Sequence, residues 1–273
     1  MRALQCGRFR VSFDRPRLMG IINLTDDSFS GDGLANNREA AIRRAFYQIE
    51  AGADMLDIGA ESSRPGASPV APEEEKARIL PVLDALRDCG VPLSVDTYRP
   101  EVMRAAIDHG ASMINDIYAL RMPGAFDAVA GSGCAICLMH MRGEPASMQE
   151  KPEYDDVVSG VRRFLAERAD AAVSAGIREE RLLLDPGFGF GKTVAHNIEL
   201  LKNLGAFSVE GLPVLAGLSR KSILGAITGR LVDNRVSASV AAALVAALKG
   251  ANVLRVHDVA ETRDALRVLE AVF

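Results

Sequence analysis

Polar side chains recur at the ends of the short apolar segments of this sequence. Asp96 and Asp185 each close such a segment, and Lys221 follows another. The full set at these eight ends is Asn23, Asp57, Asp96, Asn115 with Asp116, His140, Asp185, Ser219 with Arg220 and Lys221, and Arg255 with His257. A carboxylate can accept two adjacent N–H groups of a planar ligand, and a guanidinium can bind an anion or stack on a ring. Their recurrence at every end favours a shared binding site over separate helix caps.

The segment 185–193 contains three glycines and two phenylalanines and resembles a nucleotide-binding loop at first sight. A phosphate loop would need glycine where Pro186 stands, and a dinucleotide-binding motif would need glycine where Lys192 stands. We therefore interpret the segment as a loop whose glycines let the backbone approach a ligand and whose phenylalanines can pack on a flat one.

The elements that must position these residues alternate along the chain. Apolar segments predict eight strands at 18–23, 55–59, 92–96, 112–116, 135–140, 182–185, 213–218 and 253–257. Helical periodicity predicts helices that include 38–51, 73–88, 101–109, 154–175, 237–249 and 259–272. Eight strand–helix units without an intervening linker predict a single (β/α)₈ barrel domain over residues 1–273, with an open doubly wound sheet as the alternative. In such a barrel the polar strand ends meet on one face.

Composition and charge exclude several partners. The chain has 273 residues, 48% of them hydrophobic, and a net charge of −4, which predicts a folded protein that binds neither nucleic acid nor an anionic membrane surface. We expect no membrane span and no secretory signal, and hence a cytoplasmic location. Cys134 and Cys137 form a C-x-x-C within an apolar strand, where residues three apart point to opposite faces, so we expect core cysteines and not a zinc or redox site.

Seven ordered blocks of the sequence carry a resemblance to a known family. They are residues 19–25, 27–30, 61–67, 94–97, 114–117 and 184–192, and 217–222 taken together with 255–258. In these blocks the chain resembles the dihydropteroate synthases over nearly its whole length. The resemblance implies an enzyme of folate biosynthesis that joins a dihydropterin pyrophosphate to para-aminobenzoate on a pterin-binding barrel.

The resemblance also implies roles for individual residues. Asp185 would accept the two N–H groups of the pterin edge, Asn115 and Asp96 would meet the remaining ring nitrogens, and Lys221 would donate to the ring oxygen and N5. Arg255 would stack on the ring and, with His257, bind the pyrophosphate, and the catalytic set would be Asp96, Lys221, Arg255 and His257. The pterin pyrophosphate site would also include Ser63 and Val256. The para-aminobenzoate pocket would consist of Phe29, Pro65, Phe190, Ser219 and Arg220.

A metal and a mechanism follow from the same resemblance. Asn23 would bind a Mg²⁺ that bridges the pyrophosphate, and Mg²⁺ accepts a single protein amide because it keeps several waters. Pyrophosphate would leave first, and the amine of para-aminobenzoate would then attack the resulting cation. Sulfonamides mimic para-aminobenzoate in this family, and a homodimer is expected.

The first loop departs from the family pattern. Asp26 stands where proline is usual, and the Gly31-Asp32 order moves a carboxylate by one position. Ser63 replaces a threonine but keeps the hydroxyl. The closure of this loop over the site and the affinity for the metal could therefore differ from those of the family.

Three alternatives remain open from the sequence. Lys221 near a strand end could form a Schiff base, as in a barrel aldolase. The chain could also be a non-catalytic pterin-binding paralogue. A corrinoid-linked methyltransferase shares the pterin-binding barrel, but the Ser219–Lys221 and Arg255–His257 pairings resemble the synthase more closely.

Overall fold

A computed structural model describes residues 3–25, 37–62, 69–144, 148 and 152–272. Its strands are β1 (Leu4–Cys6), β2 (Phe9–Val11), β3 (Arg17–Asn23), β4 (Met55–Gly59), β5 (Leu93–Asp96), β6 (Met113–Asp116), β7 (Ala135–Met139), β8 (Leu182–Asp185), β9 (Leu215–Ala216) and β10 (Val253–Val256). Its α-helices are α1 (Arg38–Glu50), α2 (Pro72–Leu86), α3 (Pro100–Asp108), α4 (Ala125–Val129), α5 (Val157–Ser174), α6 (Val194–Lys202), α7 (Ser222–Thr228), α8 (Val236–Leu248) and α9 (Val259–Val272).

Strands β3 to β10 form one parallel sheet in the order β8-β7-β6-β5-β4-β3-β10-β9. The sheet closes on itself between its first and last members. Leu184 forms a parallel bridge with Val214, and the Leu184 N–H donates to the carbonyl of Pro213 over 2.9 Å. The predicted (β/α)₈ barrel is therefore confirmed, and the open sheet is wrong.

Two elements differ from the predicted ones. The strand expected at 213–218 has only two residues, Leu215–Ala216. Pro213 has no N–H for the ladder, which limits this strand at its start. The antiparallel hairpin of β1 and β2 was not predicted, since three-residue strands are too short to show a periodicity.

The core has two layers. An inner cluster contains residues of seven barrel strands together with Leu4, Cys6 and Phe13 of the N-terminal segment. The N-terminal hairpin thus packs against the interior of the barrel. A larger outer cluster lies between the strands and the helices.

Two further predictions concern cysteines and membranes. Cys134 and Cys137 are buried free thiols, as expected for core cysteines. Cys137 belongs to the inner cluster, whereas the Cys134 thiol donates to the carbonyl of Ala111 over 2.9 Å. Among the described residues, none of the helices combines the length and apolar content that crossing a bilayer requires.

Candidate active site

Alternation along the strands creates a ring of polar side chains above the apolar interior. Met55, Met113, Leu183 and Val253 belong to the inner cluster. Side chains two residues apart in a strand share a face. Asp57, Asn115, Asp185 and Arg255 stand two positions further along these same strands, so they also point into the barrel, at the carboxyl end where barrel enzymes place their sites.

Arg255 is at the centre of this ring and joins three strands. Its Nε donates to Asp57 Oδ2 over 2.6 Å, and its Nη2 donates to Asp96 Oδ2 over 2.9 Å. Asn115 Nδ2 donates to the same Asp57 oxygen over 3.1 Å. Two carboxylates of the protein itself therefore hold the Arg255 guanidinium in place.

The charges of this cluster shift its titration. Burial raises the pKa of Asp96 to about 7, although the nearby Arg255 lowers it, and Asp57 raises it further. Burial by itself would lower the pKa of Arg255, but Asp57 and Asp96 outweigh burial and raise it. Arg255 thus stays charged, whereas Asp96 can gain or lose a proton near neutral pH.

Asp185 and Lys221 are two further charged groups of the ring, and each influences the pKa of the other. Asp185 Oδ1 accepts the N–H of Gly187 over 2.7 Å, and burial raises the pKa of this carboxyl while Lys221 opposes the shift. Lys221 Nζ donates to the carbonyl of Phe188 and lies 4.8 Å from the ring centroid of Phe190. Burial lowers the pKa of Lys221 to about 8. The pair can therefore present one acceptor and one donor to a ligand.

The glycine-containing loop that follows β8 is organised by Lys192. This side chain is only 3% exposed, and its Nζ donates to the carbonyls of Gly187 and Phe190, each over 2.8 Å. It also bonds His140 Nδ1 over 3.0 Å. Burial, together with Lys192, lowers the pKa of His140 to about 2, so this ring is neutral and accepts the bond. Lys192 therefore shapes the loop from behind and is not on the pocket wall.

The Ser219–Lys221 segment contacts the residues that follow the last strand. His257 Nδ1 lies 2.9 Å from Ser219 Oγ, and the His257 N–H donates to the same hydroxyl over 3.2 Å. Arg220 has a positive φ of 57°, and its Nε and Nη2 bind the Asp258 carboxylate over 3.1 and 2.5 Å. From the opposite side, Arg235 donates to the Arg220 carbonyl over 3.0 Å. The segment is thus held by contacts to the residues directly after β10 and to the residue that precedes α8.

An open pocket lies at this end of the barrel. Among the predicted site residues, Asn23, Asp96, Phe190, Ser219, Lys221, Arg255 and His257 line it. Asn115 and Asp185 belong to the same ring but are only 4% and 6% exposed and do not line the open pocket. Arg220 is also outside its lining.

Several predicted positions have other surroundings. Val256 packs in the outer cluster, so its side chain faces the helices. Asp116 also points away from the ring: its carboxylate accepts the N–H groups of Tyr118 and Leu120, each over 2.7 Å, which is a loop-capping role. Ser63, Phe29 and Pro65 lie outside the described residues, as do Asp26 and Asp32.

Some residues of the site were not assigned from the sequence. Asp57 was noticed only as a strand end, and its pairing with Arg255 depends on β10 lying beside β3 and one strand away from β4. Glu61 lines the pocket, where its carboxylate binds Arg99 over 2.6 Å, Tyr98 over 2.9 Å and the Val70 N–H over 3.0 Å. Its position two residues after β4, the second barrel strand, is the sequence feature that could have identified Glu61 as a site residue.

The fold and the pocket define the class: a (β/α)₈ barrel that gathers acidic and basic side chains around a pocket at its strand ends, where barrel enzymes place their active sites. The family model described as "Pterin binding enzyme" matches residues 19–257. The chain is 48% identical to the dihydropteroate synthase of Escherichia coli (strain K12) over 262 residues, which cover 96% of this chain and 93% of that protein.

Solved structures agree with this match. The Burkholderia cenocepacia dihydropteroate synthase complexed with 7,8-dihydropteroate has a TM-score of 0.92 and 52% identity, covering 99% of this chain and 96% of that chain. The Xanthomonas albilineans dihydropteroate synthase with 4-aminobenzoic acid has a TM-score of 0.92 and 54% identity, covering 99% and 98%. The chain belongs to the pterin-binding enzymes and, within them, to the dihydropteroate synthase family. The aldolase, methyltransferase and non-catalytic alternatives are not favoured by these relatives.

Proposed function

We propose that this chain condenses 6-hydroxymethyl-7,8-dihydropterin pyrophosphate with para-aminobenzoate to give 7,8-dihydropteroate and pyrophosphate. As a member of its family, it is a transferase that moves a pterin group. The observation that carries the proposal is the ring in which Arg255 is clamped by Asp57 and Asp96 beside the Asp185–Lys221 pair. This ring offers acceptors, a donor and a planar cation to one flat ligand.

The pterin half of the site follows from donor and acceptor chemistry. Asp185 Oδ1 already accepts the Gly187 N–H, and the carboxylate has further lone pairs for the 2-amino and N3 hydrogens of the ring. Lys221 would donate to the ring oxygen and N5, and Asp96 and Asn115 would meet the opposite edge. Arg255 would stack on the ring face, and His257 would approach the pyrophosphate together with Ser63.

The para-aminobenzoate half is proposed for the outer part of the pocket. Phe190 and Ser219 are on its wall, and Phe29 and Pro65 are assigned to it from the resemblance alone. We assign Arg220 to the carboxylate of para-aminobenzoate. Because Arg220 is bound to Asp258, this contact would have to share or replace that ion pair.

We propose that the reaction is stepwise. The bond between the pterin methylene carbon and the pyrophosphate oxygen breaks first, and its electron pair leaves with pyrophosphate. The amine nitrogen of para-aminobenzoate then bonds to the cationic carbon and loses a proton to solvent. Asp96 and Asp185 stabilise the positive charge on the ring, and Arg255 and His257 stabilise the departing anion, so the protein contributes alignment and electrostatics.

We also propose that Mg²⁺ binds together with the pyrophosphate at Asn23. Asn23 lines the pocket, and within the described residues no group of three histidine, cysteine or acidic side chains could hold a metal by itself. A donor set of one amide fits an ion that keeps its waters and takes phosphate oxygens. When bound, Mg²⁺ would neutralise charge on the leaving group.

A homodimer and a cytoplasmic location remain proposals. Ile227 and Leu231 are 59% and 75% exposed at the end of α7 and beyond it, and Leu248 at the end of α8 is 58% exposed. These apolar side chains are compatible with a contact between two copies, as the family resemblance implies. Light scattering at micromolar concentration tests the dimer, and a monomeric mass would refute it.

One assay tests the enzymatic proposal. Pyrophosphate release is followed with the pterin pyrophosphate and Mg²⁺, with and without para-aminobenzoate. We expect fast release with para-aminobenzoate and slow release without it. Release that strictly requires para-aminobenzoate would refute the stepwise order but not the synthase, whereas pterin binding without any turnover would support a non-catalytic paralogue.

A substitution tests the pterin assignment. Asp185→Ala removes the carboxylate that would accept two ring N–H groups, and it should weaken pterin binding by about 2–3 kcal/mol. The measurement is calorimetric titration with 6-hydroxymethyl-7,8-dihydropterin. An unchanged Kd would exclude Asp185 as the ring ligand.

A further inference from the structure

Asp57 is a fully buried member of the polar ring, although it does not line the open pocket. One of its oxygens, Oδ2, accepts both the Nε–H of Arg255 over 2.6 Å and the Nδ2–H of Asn115 over 3.1 Å. A single carboxylate oxygen therefore connects the planar cation proposed for the ring face with the amide proposed for the ring edge.

This contact determines which way the Asn115 amide is turned. The oxygen and nitrogen of an amide are nearly the same in shape, so shape alone does not select an orientation. An ionised carboxylate only accepts hydrogen bonds, and the ion pair with Arg255 makes Asp57 such an acceptor. The NH₂ group of Asn115 must therefore face Asp57, and Oδ1 must point away from it.

The oxygen that points away is itself informative. Asn115 Oδ1 is buried and has no hydrogen-bond partner among the described residues. Leaving a buried acceptor without a partner is unfavourable, and a ligand N–H can offset that cost. The polar ring thus contains a buried acceptor at this position, and it suits a ligand ring that carries a hydrogen there.

We infer that Asp57 is a positioning residue that determines the hydrogen-bond pattern with which this site recognises the pterin ring. It orients Asn115 so that an acceptor meets a ring N–H, and it holds Arg255 through Nε so that Nη2 reaches Asp96. This inference rests on the proposed pterin site and adds to it a residue that does not touch the ligand.

An exchange of the two side chains tests the orientation directly. In Asp57→Asn the single, neutral amide oxygen must still accept from Arg255 Nε, so it is a weaker acceptor for Asn115 than the carboxylate was, and the new NH₂ group at position 57 can donate to Asn115 Oδ1. The orientation of Asn115 is then no longer fixed, and its NH₂ group can face a ring N–H, which places two donors opposite each other. We expect the Kd for 6-hydroxymethyl-7,8-dihydropterin to rise at least about tenfold, which is about 1.4 kcal/mol. Combining Asp57→Asn with Asn115→Asp restores an acceptor toward the ring and keeps the total charge. We expect the Kd of the double variant to return to within about threefold of the original value.

Asp116→Asn is the matched control. Asp116 is equally buried and also ends a barrel strand, but among the described residues its carboxylate accepts hydrogen bonds from the backbone of its own loop, at Tyr118 and Leu120, and from no side chain. This variant should lose stability and keep the Kd for the pterin. Should Asp57→Asn fail to fold, Asp57→Ser, whose hydroxyl can also donate to Asn115, provides the same comparison.

The outcomes separate the inference from the proposed function. Pterin binding that is lost equally in Asp57→Asn and Asp116→Asn would reduce Asp57 to a stabilising residue and overturn the inference. A double variant no better than Asp57→Asn alone would also overturn it. In both cases the unsubstituted protein still binds the pterin and turns over, whereas failure of the unsubstituted protein to bind would overturn the proposed function as well.

Discussion

Lys192→Met removes the ammonium around which the loop after β8 is built. The lysine donates to the carbonyls of Gly187 and Phe190 and bonds the His140 ring, all within a buried environment. Methionine has a similar length but no donor. We expect the variant to lose both stability and affinity for para-aminobenzoate.

The size of the stability loss can be estimated from these contacts. The Gly187 carbonyl keeps a second donor, the Phe190 N–H at 3.1 Å, so it is not left unpaired. The Phe190 carbonyl and His140 Nδ1 lose their hydrogen bonds to Lys192 Nζ, at a cost of about 1–3 kcal/mol each. Burying an uncharged side chain in place of an ammonium offsets part of this cost, since burial lowers the pKa of Lys192. The net loss should be about 2–4 kcal/mol.

The effect on the pocket follows from Phe190. This ring lines the pocket and lies 4.8 Å from Lys221 Nζ, and its own carbonyl is held by Lys192. Loosening the loop should raise the KM for para-aminobenzoate about fivefold, with a smaller change in KM for the pterin substrate. Lys192 would thus affect the binding of para-aminobenzoate indirectly, because it holds Phe190 in position.

Urea denaturation and steady-state kinetics measure the two effects. Lys202→Met is the control, because the Lys202 side chain is 66% exposed in a surface pair with Glu199 and should contribute no more than about 0.5 kcal/mol. If Lys192→Met lost as little as Lys202→Met and its KM values were unchanged, the assignment of Lys192 as the organiser of this loop would be refuted.

Three further predictions concern pH and backbone. Burial raises the pKa of Asp96 to about 7 and lowers that of Lys221 to about 8. With increasing pH, kcat/KM for the pterin substrate should therefore rise as the Asp96 carboxyl ionises and then fall as the Lys221 ammonium loses its proton. A flat pH profile would contradict this prediction. Burial lowers the pKa of His140 to about 2 in the folded protein, so below pH ~6.5 the unfolded chain binds a proton that the folded chain does not. The free energy of unfolding therefore falls by up to about 1.4 kcal/mol for each pH unit below that point. In urea titrations, His140→Gln should show a shallower decline between about pH 6 and 4. In the same assay, Gly187→Ala should lower the free energy of unfolding by at least about 2 kcal/mol, because φ is +69° and a Cβ would overlap the backbone carbonyl of His140. The control Gly90→Ala, at φ +87° with open space around it, should lower it by about 1 kcal/mol. Equal losses in the two variants would exclude the overlap.

The sequence predicted the barrel well because its strands are buried apolar segments of the right length. The segments at 55–59 and 182–185 coincide with β4 and β8. The short strand β9 and the N-terminal hairpin were harder to predict, because two or three residues show no periodicity and depend on neighbours far along the chain.

Most of the polar strand ends lie together at one end of the barrel, but not every one of them faces into it. Asp96 and Arg255 face into the barrel, whereas Asp116, one residue after Asn115, faces out and caps its loop. A shift of one residue in a strand reverses the face of the side chain, so adjacent polar residues could not be separated by type alone.

By itself the sequence determined the fold class, the face of the barrel that carries the site and the residue types available there, because strand period and strand-end chemistry are local properties. Only the tertiary structure decided the partnerships. Arg255 and Asp57 are 198 residues apart in sequence, yet barrel closure brings β10 next to β3 and one strand from β4, and 2.6 Å separates their side-chain atoms. Likewise, the role of Lys192 within its loop emerged from burial and from the ring of His140, which follows the neighbouring strand β7. Such contacts depend on the closed geometry of the barrel, which no local pattern encodes.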